Sequence, residues 1–123
     1  MSIYRTAFPK RHTFLPVIHA EGPHQVIRNI EVSIDNGADG AFLINHYISP
    51  EALLGLYAEA RLKHPDFWIG LNVLGRSPIE ALKLVPYNLD GLWADDPGVR
   101  PSGDTSVAEA FNRYRQLNAN WNG

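Results

Sequence analysis

Short continuous apolar segments recur along the chain and alternate with longer segments of helical hydrophobic spacing. Three of them begin about 27 residues apart and a fourth follows sooner; the four are Phe14–Ile18, Ala41–Ile44, Phe67–Leu71 and Gly91–Ala94. Each is rich in β-branched or aromatic residues and does not alternate with polar positions. This pattern is typical of a strand that is buried on both faces of a parallel sheet.

Helix start signals open the segments between these strands. In Ser49-Pro50-Glu51 and again in Ser77-Pro78-Ile79-Glu80, a serine is placed to cap the helix and a proline occupies its first turn. Ser77 and Glu80 have the spacing of a capping box. Gly22-Pro23 opens an earlier helix that ends at Gly37, and a last helix is expected to begin between Asp104 and Ser106.

Alternating strands and helices at this period predict right-handed βαβ units and a parallel sheet. We therefore expect an α/β fold of four consecutive βα units, resembling half of a (β/α)8 TIM barrel, which has eight units and about 250 residues. The expected domain spans residues 14–123 and follows an N-terminal tail, residues 1–13. A flavodoxin-like open sheet is the alternative, although the phosphate loop usual before its first helix is missing.

Four parallel strands without closure leave two unpaired edges and one uncovered face. Such edges attract pairing partners. Three explanations are open: the chain dimerises to close the ring, it belongs to a longer parent, or a local rearrangement covers the face. A homo-oligomer, most simply a dimer, is the expected partner.

Composition narrows the class of protein. The 123 residues are 45% hydrophobic and 20% charged, which suits one globular domain, and the formal net charge of −2 gives no reason to expect nucleic-acid binding. The chain has no cysteine, so disulfides, thiolate metal sites and a cysteine nucleophile are excluded. No apolar segment approaches the roughly 20 residues of a membrane span, and no signal-type segment follows the N-terminal basic residues, so a cytoplasmic location is expected.

A polar side chain follows every predicted strand, at the end where (β/α)-barrels carry their active sites. These residues are His19, Asn45, His46, Asn72, Asp95 and Asp96. Because adjacent strand residues point to opposite faces, only one of Asn45 and His46 should point inward. The coincidence across four units predicts a site at this end of the sheet.

The titratable members are the candidate catalytic residues. His19 and His46 could act as general bases because imidazole titrates near neutral pH, and Asp95 could pair with a histidine. A His/His/Asp metal site is conceivable, but no two of these residues share the i, i+4 helical spacing of a metal motif, so no metal is predicted. The structural alternatives are histidines bonded to loop backbone and an Asx-turn before Pro97-Gly98.

The remaining polar residues are candidates for substrate binding, and the sequence leaves open which cofactor, if any, the site uses. Asn45 and Asp96 could hold a substrate, and Asn72 could orient one or stabilise an oxyanion. Arg100 lies in a Pro-, Gly- and Asp-rich segment, residues 97–105, that has the composition of a lid with an anion-binding arginine. Turn-stabilising side chains and a plain surface linker are the alternatives.

Three motifs resemble the first βα units of the BtpA-like TIM-barrel proteins. They are Pro16-Val17-Ile18-His19, Gly37-Ala38-Asp39-Gly40 before the second strand, and Gly70-Leu71-Asn72-Val73-Leu74. The resemblance covers about Phe14 to Gly98 and implies a TIM-barrel fold similar to phosphate-handling barrels. One branch of that family is linked to photosystem I biogenesis, but no defined reaction carries over. This chain departs from the family by ending after about four units and by having Asn45-His46 where an acidic residue is common.

The leading functional hypothesis is a small-molecule enzyme that applies acid–base chemistry to a polar metabolite at the strand ends. One alternative is a non-catalytic, self-associating half-barrel. Another is a ligand-binding domain with the same pocket and no turnover.

Overall fold

The computed structural model describes residues 3–86, 88–96 and 105–118, in which strands and helices alternate after a short first helix. The helices are α1 (Ile3–Ala7), α2 (Pro23–Asp35), α3 (Pro50–Lys63), α4 (Pro78–Leu84) and α5 (Ser106–Leu117). The strands are β1 (Val17–His19), β2 (Gly40–Ile44), β3 (Trp68–Asn72) and β4 (Gly91–Trp93). In this part of the chain, no helix is both long enough and apolar enough to cross a bilayer.

The four strands form one parallel sheet in the order β1-β2-β3-β4. This sheet, with helices between its strands, confirms the predicted α/β fold. A flavodoxin-like sheet places β1 between β2 and β3, whereas here β2 lies between β1 and β3. The described strands thus follow the order of consecutive strands in a (β/α)-barrel.

Two strands lie further along the chain than predicted. The first was expected at Phe14–Ile18 and is found at Val17–His19, because Pro16 has no N–H to add to the ladder, although its carbonyl accepts a bond from Phe42 at 2.9 Å. The third starts at Trp68 and continues to Asn72. His19 and Asn72 are therefore the last residues of strands rather than the first residues of loops.

The helix start signals act as predicted. The Ser49 hydroxyl accepts a bond from the Ala52 N–H at 3.1 Å, and Ser77 and Glu80 form the reciprocal capping box. Gly37 follows the C-cap of α2 with a φ of +80°, a left-handed conformation that costs glycine little. These caps define where each helix begins relative to the strand before it.

The hydrophobic core lies between the sheet and helices α2 to α5. Alternate strand residues such as Ile18, Leu43 and Leu71 are buried there, and the helices contribute residues such as Val26 and Leu53. We call this side of the sheet the helix face. The opposite side, which carries Val17, Phe42, Gly70 and Gly91 in one row, is called the open face.

Trp68 covers the amino-terminal part of the open face. Its indole lies flat over the glycines of neighbouring strands: a Cβ added to Gly91 would stand 2.6 Å from Cζ2 of Trp68, and one added to Gly40 would stand 2.8 Å from Cε3. A Cβ on Gly70 would meet the Phe42 ring at 2.5 Å. The aromatic rings thus take the volume that side chains at these positions would fill.

The N-terminal segment, expected to be a tail, includes α1 and packs on the same face. Phe8 is buried, with its ring centroid 5.2 Å from that of Trp68. Asp39 holds the segment: its carboxylate accepts the Phe14 N–H at 2.8 Å and pairs with Lys10 at 2.9 Å. The aspartate of the Gly37–Gly40 motif is therefore a clamp between the N-terminal segment and β2.

A second clamp closes the amino-terminal end of β3 and β4. Arg61 donates to the Asp90 carboxylate at 2.5 Å and to the Phe67 carbonyl at 2.6 Å, while Asp90 also accepts the Ile69 N–H at 2.8 Å. The Tyr57 hydroxyl donates to the Asn88 carbonyl at 2.8 Å. The end of α3, the loop after it and the start of β4 are thereby joined through one guanidinium.

Candidate functional site

The candidate site occupies the carboxyl-terminal end of the open face. The strand register places four residues in one row across the sheet: His19, Ile44, Asn72 and Trp93. Residues in register on neighbouring parallel strands point to the same face. The predicted site residues His19 and Asn72 therefore share a face, and this row has the imidazole of His19 at its β1 end and the indole of Trp93 at its β4 end.

The imidazoles of His19 and His46 stack on each other above β1 and β2. Their ring centroids are 4.6 Å apart and their planes differ by 11°, and both residues are exposed. The two histidines come from neighbouring strand ends, 27 positions apart, so the contact follows from strand pairing rather than from local sequence. Because both residues are exposed, the stacked pair is open to solvent.

Gln25 in α2 holds the loop that follows His19. Its side chain donates to the His19 carbonyl at 2.9 Å and accepts the Glu21 N–H at 3.0 Å. The sequence reasoning missed this residue. A glutamine in the first turn of a helix directly after a strand-end histidine is the only local signal that could have pointed to it.

Asn45 positions His46 by clamping the loop that carries it. Its Oδ1 accepts the Leu74 N–H at 2.7 Å, and its Nδ2 donates to the carbonyls of Leu74 at 3.1 Å and Ile48 at 3.4 Å. The side chain is buried, and its amide serves the backbone of the loops after β2 and β3. Of the two adjacent candidates, His46 is thus the one that reaches His19.

Asn72 and Asp95 form the second polar pair. The Asn72 amide, 1% exposed, donates to the Asp95 carboxylate at 3.1 Å. This bond orients an exposed carboxylate at the end of β4. Asp96 is exposed beside it, while Arg100 and most of the segment predicted as a lid lie outside the described residues.

Trp93 is the aromatic component of this end of the sheet. It is 41% exposed, and its ring lies edge-on to Phe42 with centroids 5.7 Å apart. A tryptophan within an apolar strand is more often a core residue. Its place at the outer edge of the last strand, with no described strand beyond it, explains the exposure.

Within residues 3–86, 88–96 and 105–118, no group of three or more His, Asp or Glu side chains is arranged to hold a metal ion.

Burial raises the pKa of the Tyr57 phenol, and hydrogen bonds from the Phe14 backbone and Lys10 lower the pKa of Asp39. Both groups lie at the amino-terminal end of the sheet, where they act on stability.

No family model matches the chain, and no curated protein or solved structure is significantly similar to it. The class of protein is therefore defined by its own geometry. It is an α/β protein of consecutive parallel βα units with a polar and aromatic cluster at the carboxyl ends of its strands.

Proposed function

We propose that this protein binds a polar small molecule at the carboxyl ends of its strands and acts on it by acid–base chemistry. The stacked pair of His19 and His46 carries the proposal, because two exposed imidazoles held by neighbouring strands offer both a proton donor and a proton acceptor to one ligand. The site has the location at which (β/α)-barrels perform their chemistry.

Each strand end has a distinct role in this proposal. His19 and His46 exchange protons with the ligand. Asp95, oriented by Asn72, accepts a hydrogen bond from it, and the exposed Trp93 supplies an apolar surface beside the polar groups. Asn45 is a positioning residue that acts through the loop of His46. Asp96 remains a predicted contact for a hydroxyl group of the ligand and Arg100 for an anionic part of it, and the ligand itself is defined only as a polar metabolite.

The BtpA-like resemblance of the first three units is compatible with such a site and adds no reaction. It remains part of the proposal, as does the cytoplasmic location.

Self-association without catalysis is the second candidate function. The observation that favours it is the exposure of apolar side chains at both outer strands, Val17 on β1 and Trp93 on β4, each 41% exposed. A half-barrel that persists as a structural domain would bury these residues against another molecule.

Ligand-dependent thermal unfolding tests the proposed site. We would screen inorganic phosphate, small phosphate esters, dicarboxylates and polyols as probes. A probe present at 100 times its Kd should stabilise the fold by about 2.7 kcal/mol, which raises the Tm by several degrees. His19→Ala and His46→Ala should abolish that rise.

His24→Ala is the matched control, because His24 is an exposed histidine in the first turn of α2 and is not part of the stacked pair. The rise in Tm should persist in this variant. A His19→Ala protein that kept the full rise would remove His19 from the site. The absence of any rise across the probes would favour the non-catalytic alternative.

A further inference from the structure

The outer edge of β1 presents backbone groups that no described strand pairs. The Pro16 carbonyl and the Ala20 N–H both bond to β2 at 2.9 Å. Because backbone groups alternate in direction along a parallel strand, those of Val17 and His19 point away from β2. The Gln25 side chain binds the His19 carbonyl at 2.9 Å, which leaves the His19 N–H and both Val17 groups on the outer edge.

The outer edge of β4 is its counterpart. Asp90 donates its N–H to the Ile69 carbonyl of β3 at 3.2 Å, so the backbone of Gly91 and Trp93 points away from β3. Both outer strands are three residues long, and each carries one apolar side chain that is 41% exposed on the open face. The two edges match in length, in direction and in the side they leave uncovered.

A groove runs beside the β1 edge. It lies between β1 and α2 and is lined by Val17, Gln25, Asn29 and Val32, among others. Val32 is 53% exposed although it lies on the side of α2 nearest this edge. In a (β/α)-barrel, a further strand and its helix would occupy this position.

We propose, on the basis of the function proposed above, that two copies of this chain close one eight-stranded parallel barrel and share its sites. A two-fold axis along the barrel places β4 of the second copy beside β1, and β1 of the second copy beside β4. The same two-fold rotation pairs both outer strands of each copy, so no strand edge is left over and assembly stops at two copies. A partner of another kind would have to supply two matching edges of its own.

The shared junction completes the site at His19. Within one chain, His19 has His46 on the β2 side and no described strand on the other. In the closed barrel that other side receives the end of β4 from the second copy, with its Trp93 and its Asp95 held by Asn72. Each site then combines two histidines from one copy with a carboxylate and an indole from the other.

Thiol cross-linking tests this arrangement directly, because the chain has no cysteine of its own. We would prepare Val17→Cys and Trp93→Cys as separate proteins, mix them in equal amounts and treat the mixture with a short flexible bis-maleimide. Both positions lie on the open face of an outer strand, in neighbouring rows of the sheet, so ring closure brings them within reach of this cross-linker between copies. The expected product is a covalent dimer containing one chain of each variant, formed severalfold more than by either variant alone.

Cross-links between two Val17→Cys chains or two Trp93→Cys chains as the main product would overturn ring closure, because like positions lie on opposite sides of the barrel. A second pair of variants tests the proposal independently, in case Trp93→Cys does not fold. Val17→Lys places a charge at the β1 edge and should reduce the mass in light scattering from two chains to one. Leu62→Lys, at an 85% exposed position on α3, should leave the dimer mass unchanged.

A wild-type protein with the mass of one chain would also overturn the proposal. These readouts are independent of ligand binding. A failed cross-link with His19-dependent binding intact removes the shared site and keeps the proposed function. A mixed cross-link without binding of any probe supports the closed barrel and contradicts the proposed function.

Discussion

At the residue scale, Tyr57 shows how a buried hydroxyl supports a single cation. It donates to the Asn88 carbonyl at 2.8 Å and accepts from Nε of Arg61 at 3.2 Å. The same guanidinium reaches Asp90 and the Phe67 carbonyl. A guanidinium partly removed from water is costly unless its donors are satisfied, so each acceptor around Arg61 contributes to stability.

Tyr57→Phe should lower the free energy of unfolding by about 1–2 kcal/mol at pH 7, because it removes one hydrogen bond and leaves Nε of Arg61 without that acceptor. Burial raises the pKa of Tyr57 above its usual value of 10.0. The folded state therefore holds this proton more tightly, and stability is lost as pH rises above 10.

The difference between the wild type and Tyr57→Phe should consequently shrink in urea titrations above pH 10. Tyr47→Phe is the control, since Tyr47 is 73% exposed and should change stability by less than about 0.5 kcal/mol. A difference that is constant from pH 7 to 11 would contradict the raised pKa.

At the element scale, strands and helices could be predicted because their signals are local. Ser77 and Glu80 are three residues apart, and the bonds that they make are the ones that their spacing indicates. The start of β1 was predicted less well, since Pro16 has no N–H for the sheet and the strand begins after it, although the apolar segment begins at Phe14. The location of the candidate site was predicted from the polar residues at the strand ends, but the contacts that each of these residues makes were not predicted.

Asn45 shows why those roles could not be predicted. Its partner Leu74 is 29 residues away, and nothing in the neighbourhood of Asn45 shows that its amide bonds to that backbone. The stacking of His19 on His46 depends in the same way on strand register. Helix α1 and its packing on Trp68 depend on the clamp at Asp39, 25 residues from Phe14.

Two glycine-to-alanine substitutions compare a glycine that makes room for a neighbouring ring with a glycine that only lowers helix propensity. Gly91→Ala should cost about 1–3 kcal/mol, because its Cβ would stand 2.6 Å from the Trp68 ring and displace it. Gly55→Ala should instead stabilise by about 0.5–1 kcal/mol, because Gly55 is exposed within α3 and a Cβ there meets nothing within 4 Å.

Urea unfolding of both variants gives the comparison, and the change in Trp fluorescence of Gly91→Ala reports on the indole. Equal effects of the two substitutions would show that Trp68 does not lie flat over β4.

At the scale of the whole molecule, Asp39 connects the N-terminal segment to the sheet. The hydrogen bond from the Phe14 backbone and the Lys10 ammonium lower the pKa of Asp39 from its usual 3.8. The unfolded chain therefore binds this proton more readily, so the stabilisation is complete above pH 3.8 and is lost as pH falls through the lower folded value.

Asp39→Asn should lower the Tm at pH 7 and reduce the acid sensitivity of the fold below pH 4. Limited proteolysis should show cleavage within residues 8–13 at a rate higher than in the wild type. Asp66→Asn, at an exposed position before β3, should do neither. An unchanged cleavage rate in Asp39→Asn would mean that packing on Trp68 alone holds the segment.

The two clamps, at Arg61 and at Asp39, both lie at the amino-terminal end of the sheet, whereas the histidine pair lies at the other end. The groups that stabilise the fold and the groups of the proposed site thus lie at opposite ends of one sheet. If the proposed site binds a ligand, substitutions of exposed residues in the loops after β1, β2 and β4 should change the ligand preference and leave both clamps intact. A scaffold of this kind is evolvable, and for directed evolution the loops around His46 and Asp96 are the natural positions to randomise.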